Sequence, residues 1–202
     1  MVMNQDSLLQ FTAAVLAGGR SSRLGTDKAF LLWAGRRLLD RQLDLLRTLG
    51  PTSLFISGRT GVDYAIAGAS VVVDAVAGLG PLGGLAAVLE AVATPHVVVV
   101  AVDLPAMTPE FLLQLLHQRA EGTGVVPRSA AGWEPLAAVY PREILPLVRL
   151  HIEQRELALH RLIDAGIAAG LLIESRMAAQ DPGVFRNVNT PEDLAERTDS
   201  TS

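Results

Sequence analysis

Short apolar runs rich in β-branched residues recur along the chain, with longer helical patterns between them. Runs without strict in-out alternation are what strands covered on both faces look like. They predict strands at Thr12–Leu16, Ser53–Ser57, Ser70–Val73, Val97–Val102, Gly124–Val126 and Leu136–Tyr140. Between the first two, Leu39, Leu43, Leu46 and Leu49 recur at helical spacing, and the pattern stops at Gly50-Pro51. Leu82 to Val92 predicts a second, apolar helix. Thr108-Pro109-Glu110 predicts the start of a third, with Thr as N-cap, Pro at the first helical position and an acid at the favourable dipole end. Pro141 to Ala165 reads as a helical stretch, Gly166 to Ile173 is too short and glycine-broken to assign, and Asn187 to Asp193 repeats a capped helix start. Strands alternating with helices imply right-handed crossovers and a mainly parallel α/β sheet, whose ligands sit beyond the carboxyl ends of the strands.

The 202 residues contain no internal repeat and no low-complexity linker, so one domain over 1–202 is expected, with flexible ends at 1–10 and 198–202. Half the residues are hydrophobic but only 4% are aromatic, which leaves the core to Leu, Val, Ala and Ile. The absence of cysteine excludes a disulfide framework, a thiolate metal site and a thiol nucleophile, and it suits a reducing cytoplasm. MVMNQDSLLQ lacks the basic start and apolar run of a signal peptide, and Ala75 to Leu89 is interrupted by glycines, so neither a leader nor a membrane span is expected. A formal net charge of −4 gives no reason to expect nucleic acid as a partner. A local cationic loop in such a chain points instead to a small anion.

That loop is VLAGGRSSRLGTDKAFL, Val15 to Leu31. It has neither the spacing of a P-loop nor, within itself, the dinucleotide spacing G-x-G-x-x-G. Gly18 and Gly19 nevertheless let backbone N–H groups approach an anion, and Arg20, Arg23 and Lys28 supply charge-assisted donors; a solvated turn is the bland alternative. Asp103 follows the apolar run VVVVAV, and Asp74 follows SVVV. Carboxylates at strand ends can hold a hard divalent cation with nucleotide phosphates as co-ligands, although an isolated Asp-x-Pro is more often structural. The small residues of Gly78–Gly84 would let a flat ring lie against a helix start, or merely let helix and sheet pack closely. The four histidines are poorly spaced for a metal, and neither G-x-S-x-G nor H-E-x-x-H occurs.

Together these segments resemble a known family. LAGGRSSRLGTDK is similar to the signature loop L-A-G-G-x-S-x-R-M-G-x-D-K of nucleotidyltransferases, specifically the molybdenum cofactor guanylyltransferases. The resemblance continues through Asp74, GPLGGL at 80–85, DLP at 103–105, VVPRSAAGWEPLAAVY at 125–140 and NVNTPEDL at 187–194. It implies a three-layer Rossmann-like fold with a mainly parallel, mixed sheet. It also implies transfer of GMP from GTP to molybdopterin or molybdenum cofactor, with Mg²⁺ as the metal and pyrophosphate as the by-product. Carried over by position, Leu16, Ala17, Gly18 and Gly19 would contact the nucleotide, Lys28 the phosphates and Asp74 the nucleotide. Asp103 would ligate Mg²⁺, Arg23 would steady pyrophosphate, and Asn189 would add a metal or phosphate contact. Handover of the product implies transient contact with cofactor-synthesis proteins or apo-molybdoenzymes. Three positions depart from the pattern: Leu24 replaces methionine, Gly83-Gly84 replaces Ala-Gly, and Ser57-Gly58 stands where an asparagine is common. The alternatives are cytidylyl transfer, another phosphorylated acceptor, or a nucleotide-binding protein of the same fold without catalysis.

Overall fold

A computed structural model describes residues 10–18, 27–64, 68–73, 78–175, 182–188 and 193. Its strands are β1 (Phe11–Leu16), β2 (Leu32–Trp33), β3 (Arg36–Arg37), β4 (Ser53–Gly58), β5 (Ser70–Val73), β6 (His96–Ala101), β7 (Gly124–Val126), β8 (Arg128–Ser129), β9 (Gly132–Trp133), β10 (Ala137–Pro141) and β11 (Leu172–Glu174). Its α-helices are α1 (Leu38–Thr48), α2 (Gly80–Ala91), α3 (Pro109–Gln118), α4 (Leu145–Glu153) and α5 (Leu159–Ala168). Seven strands form one sheet in the order β11-β7-β10-β6-β1-β4-β5. Neighbours are parallel except that β10 runs antiparallel to both β6 and β7. This is the three-layer, mainly parallel, mixed α/β sheet that the sequence implies.

Every residue of β1 and of β6 is buried. One face carries Ala13, Val15, Val98 and Val100 into a core shared with Leu39 and Leu43 of α1 and Leu112 and Leu115 of α3. The other carries Ala14, Leu16, Val97 and Val99 against Leu82, Leu85 and Leu89 of α2 and against α4 and α5. Strands lined on both sides have no polar face to alternate, so the valine run reads as continuous. Helix α3 begins as predicted: Thr108 Oγ1 accepts from the Phe111 amide at 3.3 Å, and Pro109 follows. A cap of this kind is worth about 1 kcal/mol.

The six predicted strands form, each within a residue of its expected limits. The single helical stretch expected over Pro141–Ala165 does not. Pro141 closes β10, opposite His96, and Arg142–Ile144 is a 3₁₀ turn; helix α4 then ends, and Arg155 adopts φ +58° before α5 starts. That left-handed residue turns the chain so that α5 can pack beside α4, and no glycine or proline marks it. Leu172–Glu174 in the unassigned segment adds a parallel strand to β7. Two short hairpins, β2-β3 and β8-β9, also form. The helix start expected at Asn187–Asp193 lies mostly outside the described residues.

His96, the first residue of β6, is 1% exposed. Its Nε2–H donates to the Ala120 carbonyl at 2.9 Å, while Nδ1 is buried without a partner among the described residues. Burial therefore lowers its pKa from the ordinary 6.5, against a smaller opposing pull from the Ala120 carbonyl. The folded chain resists a proton that the unfolded chain accepts, so this stability is complete above about 6.5 and is lost as pH falls below that value. Melting temperatures recorded from pH 7.5 to 5 should fall more steeply for the native protein than for His96→Gln; parallel curves would exclude His96 as the source.

Candidate active site

Register brings three strands to the same level. Leu16 pairs with Ser57 on one side and with Ala101 on the other, so β1, β4 and β6 end together. Beyond the ends the ladder continues for one step, with the Ala17 amide on the Ser57 carbonyl at 2.8 Å and the Val102 amide on the Leu16 carbonyl at 3.1 Å. The Ala101 amide reaches across to the Leu136 carbonyl at 2.8 Å. Past these bonds the strands diverge around a cavity of about 140 Å³ lined by Leu16, Ala17, Gly18, Ser57, Leu136 and the start of α2, with Lys28 and Asp103.

Lys28 and Asp103 arrive from different elements and meet here. Lys28 opens the 3₁₀ turn Lys28–Phe30, and its Nζ donates to Asp103 Oδ2 at 2.8 Å. The side chains are 15% and 21% exposed, open enough for a ligand and covered enough for the charges to matter. Helix α1 fixes the loop that carries Asp103. Gln42 Nε2 donates to the Leu104 carbonyl at 2.5 Å, and Arg41 Nε donates to the Pro105 carbonyl at 2.6 Å. The Val188 amide donates to the Asp103 carbonyl at 2.9 Å, which ties the C-terminal segment to the same loop.

Behind Lys28 stands Asp27, whose side chain is 6% exposed. Its Oδ1 accepts from the Ala29 amide at 3.0 Å, capping the 3₁₀ turn. Its Oδ2 accepts from the Tyr64 hydroxyl at 2.6 Å and from Arg59 at 2.7 Å. The hydrogen bond to Asp27 is the largest cause that raises the Arg59 pKa; burial, then the bond to Asp27, raises that of Tyr64.

Two glycines carry the close approaches of this region. A Cβ on Gly58 would lie 2.4 Å from the Tyr64 ring, so this position can hold no side chain while Tyr64 occupies its place. A Cβ on Gly84 would lie 2.6 Å from Ser57 Oγ; the helix backbone thus passes directly over the end of β4. The spacing G-x-G-x-x-G, absent from the first loop, does occur in Gly78–Gly83, where it opens α2; Gly80, Pro81 and Gly84 line the cavity. The amino terminus of a helix at a cavity wall favours an anion.

Of the residues expected from sequence, Leu16, Ala17, Gly18, Lys28 and Asp103 share this cavity. Gly19, Arg23, Asp74 and Asn189 lie outside the described residues. Sequence reasoning missed Ser57 and Leu136 in the lining, and the supporting Asp27, Tyr64, Arg59, Gln42 and Arg41. Among the described residues no cluster of three His, Cys, Asp or Glu side chains could hold a metal unaided. Asp103 alone fits the other arrangement, one carboxylate completed by phosphate oxygens and water.

The chain is similar to known proteins over most of its length. Residues 13–169 match the model of the MobA-like NTP transferase domain. A protein of Opitutus terrae named "Probable molybdenum cofactor guanylyltransferase" is 34% identical, the alignment covering 89% of this chain and 91% of that protein. One of Deinococcus radiodurans with the same name is 36% identical, over 94% of each. Among solved structures, molybdopterin-guanine dinucleotide biosynthesis protein A of Archaeoglobus fulgidus has the same fold, with a TM-score of 0.68 at 23% identity over 91% of this chain and 95% of that one. By sequence over most of its length, and with a fold to match, the chain belongs to the MobA-like NTP transferase family.

Proposed function

We propose that the chain transfers GMP from GTP to the terminal phosphate of molybdopterin or molybdenum cofactor, forming the guanine dinucleotide cofactor and pyrophosphate. The observation that carries this reading is the pairing of Lys28 with Asp103 at 2.8 Å, in a cavity bounded by three strand ends and a helix amino terminus. The names of the relatives supply the substrates.

The chemistry asks for placement and charge compensation. An oxygen of the acceptor phosphate forms a bond to the α-phosphorus of GTP, the bond from that phosphorus to the bridging β oxygen breaks, and pyrophosphate leaves with the electron pair. The acceptor oxygen is already anionic, so no base need remove a proton. Lys28 and Asp103 are the ionisable groups among the described residues of the cavity lining, and neither is required as a base. Lys28 is placed to stabilise negative charge on the triphosphate, while the α2 amino terminus and the Gly18 backbone border the same space. Asp103 would hold Mg²⁺, which supplies charge neutralisation on the phosphate oxygens when bound. Asn189 as a further contact is supported by its neighbour Val188, whose amide sits on the Asp103 carbonyl. Asp74 as a nucleotide contact is supported by its position one residue past Val73, which pairs with Gly58 at the same end of the sheet. For Arg23 and Gly19 the support is the signature loop alone. Handover to apo-molybdoenzymes completes the reading, and a cytoplasmic setting agrees with it. No helix among the described residues is long and apolar enough to cross a membrane.

The decisive assay offers GTP or CTP with Mg²⁺ and molybdopterin and measures pyrophosphate and dinucleotide. GTP should give both products, and preference for CTP would move the chain to the cytidylyl reaction. Lys28→Ala and Asp103→Asn should each lower kcat/KM by about a hundredfold or more while the far-ultraviolet circular dichroism stays native. Unchanged transfer by either folded variant would sink the assigned role.

The contact between α2 and β4 is tested separately. Gly84→Ala should raise the KM for GTP about threefold to tenfold, because the new methyl displaces Ser57 Oγ at the cavity wall. Adding Ser57→Gly should recover most of that loss, a coupling readable from the double-mutant cycle.

A further inference from the structure

We propose that Asp27, clamped by Arg59 and Tyr64, is a positioning residue that directs the Lys28 ammonium onto Asp103. An aspartate adjacent to a lysine is itself a competing counter-ion. Here both oxygens are engaged from elsewhere: Oδ1 by the Ala29 amide, and Oδ2 by the Tyr64 hydroxyl and the Arg59 guanidinium. With its negative charge answered by Arg59, Asp27 acts on the backbone of the 3₁₀ turn and leaves the ammonium to Asp103, 75 residues away in sequence.

The clamp is rigid for reasons independent of charge. The Tyr64 ring stacks on Phe30, the last residue of the same turn, with centroids 5.7 Å apart and planes 17° apart. The ring also lies against Gly58, where no Cβ fits. Arg59 follows Gly58 directly, so the end of β4 supplies both the surface that seats Tyr64 and the cation that neutralises Asp27. Turn, tyrosine and strand end form one unit, and Lys28 projects from it into the cavity.

The clamp acts on Lys28 with or without substrate; its catalytic consequence rests on the transfer reaction proposed above. Lys28 is the sole lysine of the sequence, so amine acylation read by peptide mass spectrometry reports on it alone, with the amino terminus as internal reference. The labelling uses the full-length protein at one pH, well below its melting temperature. Asp27→Ala should speed Lys28 acylation about fivefold or more, and lower kcat about tenfold to a hundredfold with a smaller change in the KM for GTP. Asp27→Asn keeps the acceptor for the Ala29 amide but turns an amide NH2 toward the Arg59 guanidinium, and should give a labelling rate between those of Asp27→Ala and the native protein. Tyr64→Phe keeps the ring against Phe30 and Gly58, removes only the hydroxyl, and should give an intermediate rate; it decides the matter if Asp27→Ala does not fold. Native labelling rates in both folded Asp27→Ala and Tyr64→Phe would overturn the proposal. If the native protein transfers no GMP, the transfer reading fails, while the labelling rates still show whether Asp27 aims Lys28.

Discussion

The structure depends on three buried parallel strands ending at one level. Leu16, Ser57 and Ala101 share a register position, and past them the ladder continues for one hydrogen-bonded step on each side. Strands enclosed by helices on both faces cannot slip by a residue without exchanging the two cores, so this level is fixed by packing. Their apolar interior and their polar terminus are then consequences of one arrangement. The same register that hides Val15 and Val100 leaves Gly18 after β1 and the carboxylate after β6 bordering a common space.

The fold was legible because β1 and β6 are apolar apart from Thr12 and His96, and α3 is capped by Thr108 in the ordinary way. What escaped was structure whose cause lies far away in sequence. Arg155 takes a left-handed conformation that its residue type does not announce, in order to seat α5 beside α4. Strand β11 is three residues long and exists because β7 offers an edge. Within the site, Lys28 and Asp103 could be found from the sequence, since each stands beside a recognisable loop or strand end. Ser57 stands out in the sequence only as a departure from the family pattern; its contact with Gly84 comes from the fold. Tyr64 and Asp27 are separated by 37 residues and joined by one hydrogen bond, a relation that no local pattern carries.

The polar groups around the cavity form two layers with different duties. Lys28 and Asp103 face the space itself and remain partly exposed. Asp27, Gln42 and Arg41 stand behind them and each bonds to backbone: an amide for Asp27, carbonyls for the other two. A side chain bonded to backbone sets the path of the chain, and the path sets the aim of the next side chain along. Position is therefore controlled one residue away from the charge that uses it, at Asp27 for Lys28 and at Leu104 for Asp103.

This division bears on how such a site can work without a general base. Transfer between phosphates gains little from proton shuttling and much from donors that are already aligned when charge moves. Alignment costs least when it is inherited from the fold. Here the helix dipole comes from α2 and the cation from a turn fixed by Asp27. The Lys28–Asp103 pair has a particular use in that setting. On the proposed reaction, each charge would hold the other in place until a triphosphate, with more negative charge than one carboxylate, competed for the ammonium. Asp103 would then be released for a divalent cation at the moment its phosphate co-ligands arrive. Anion binding and metal binding would thereby favour each other through a single contact at the end of the sheet.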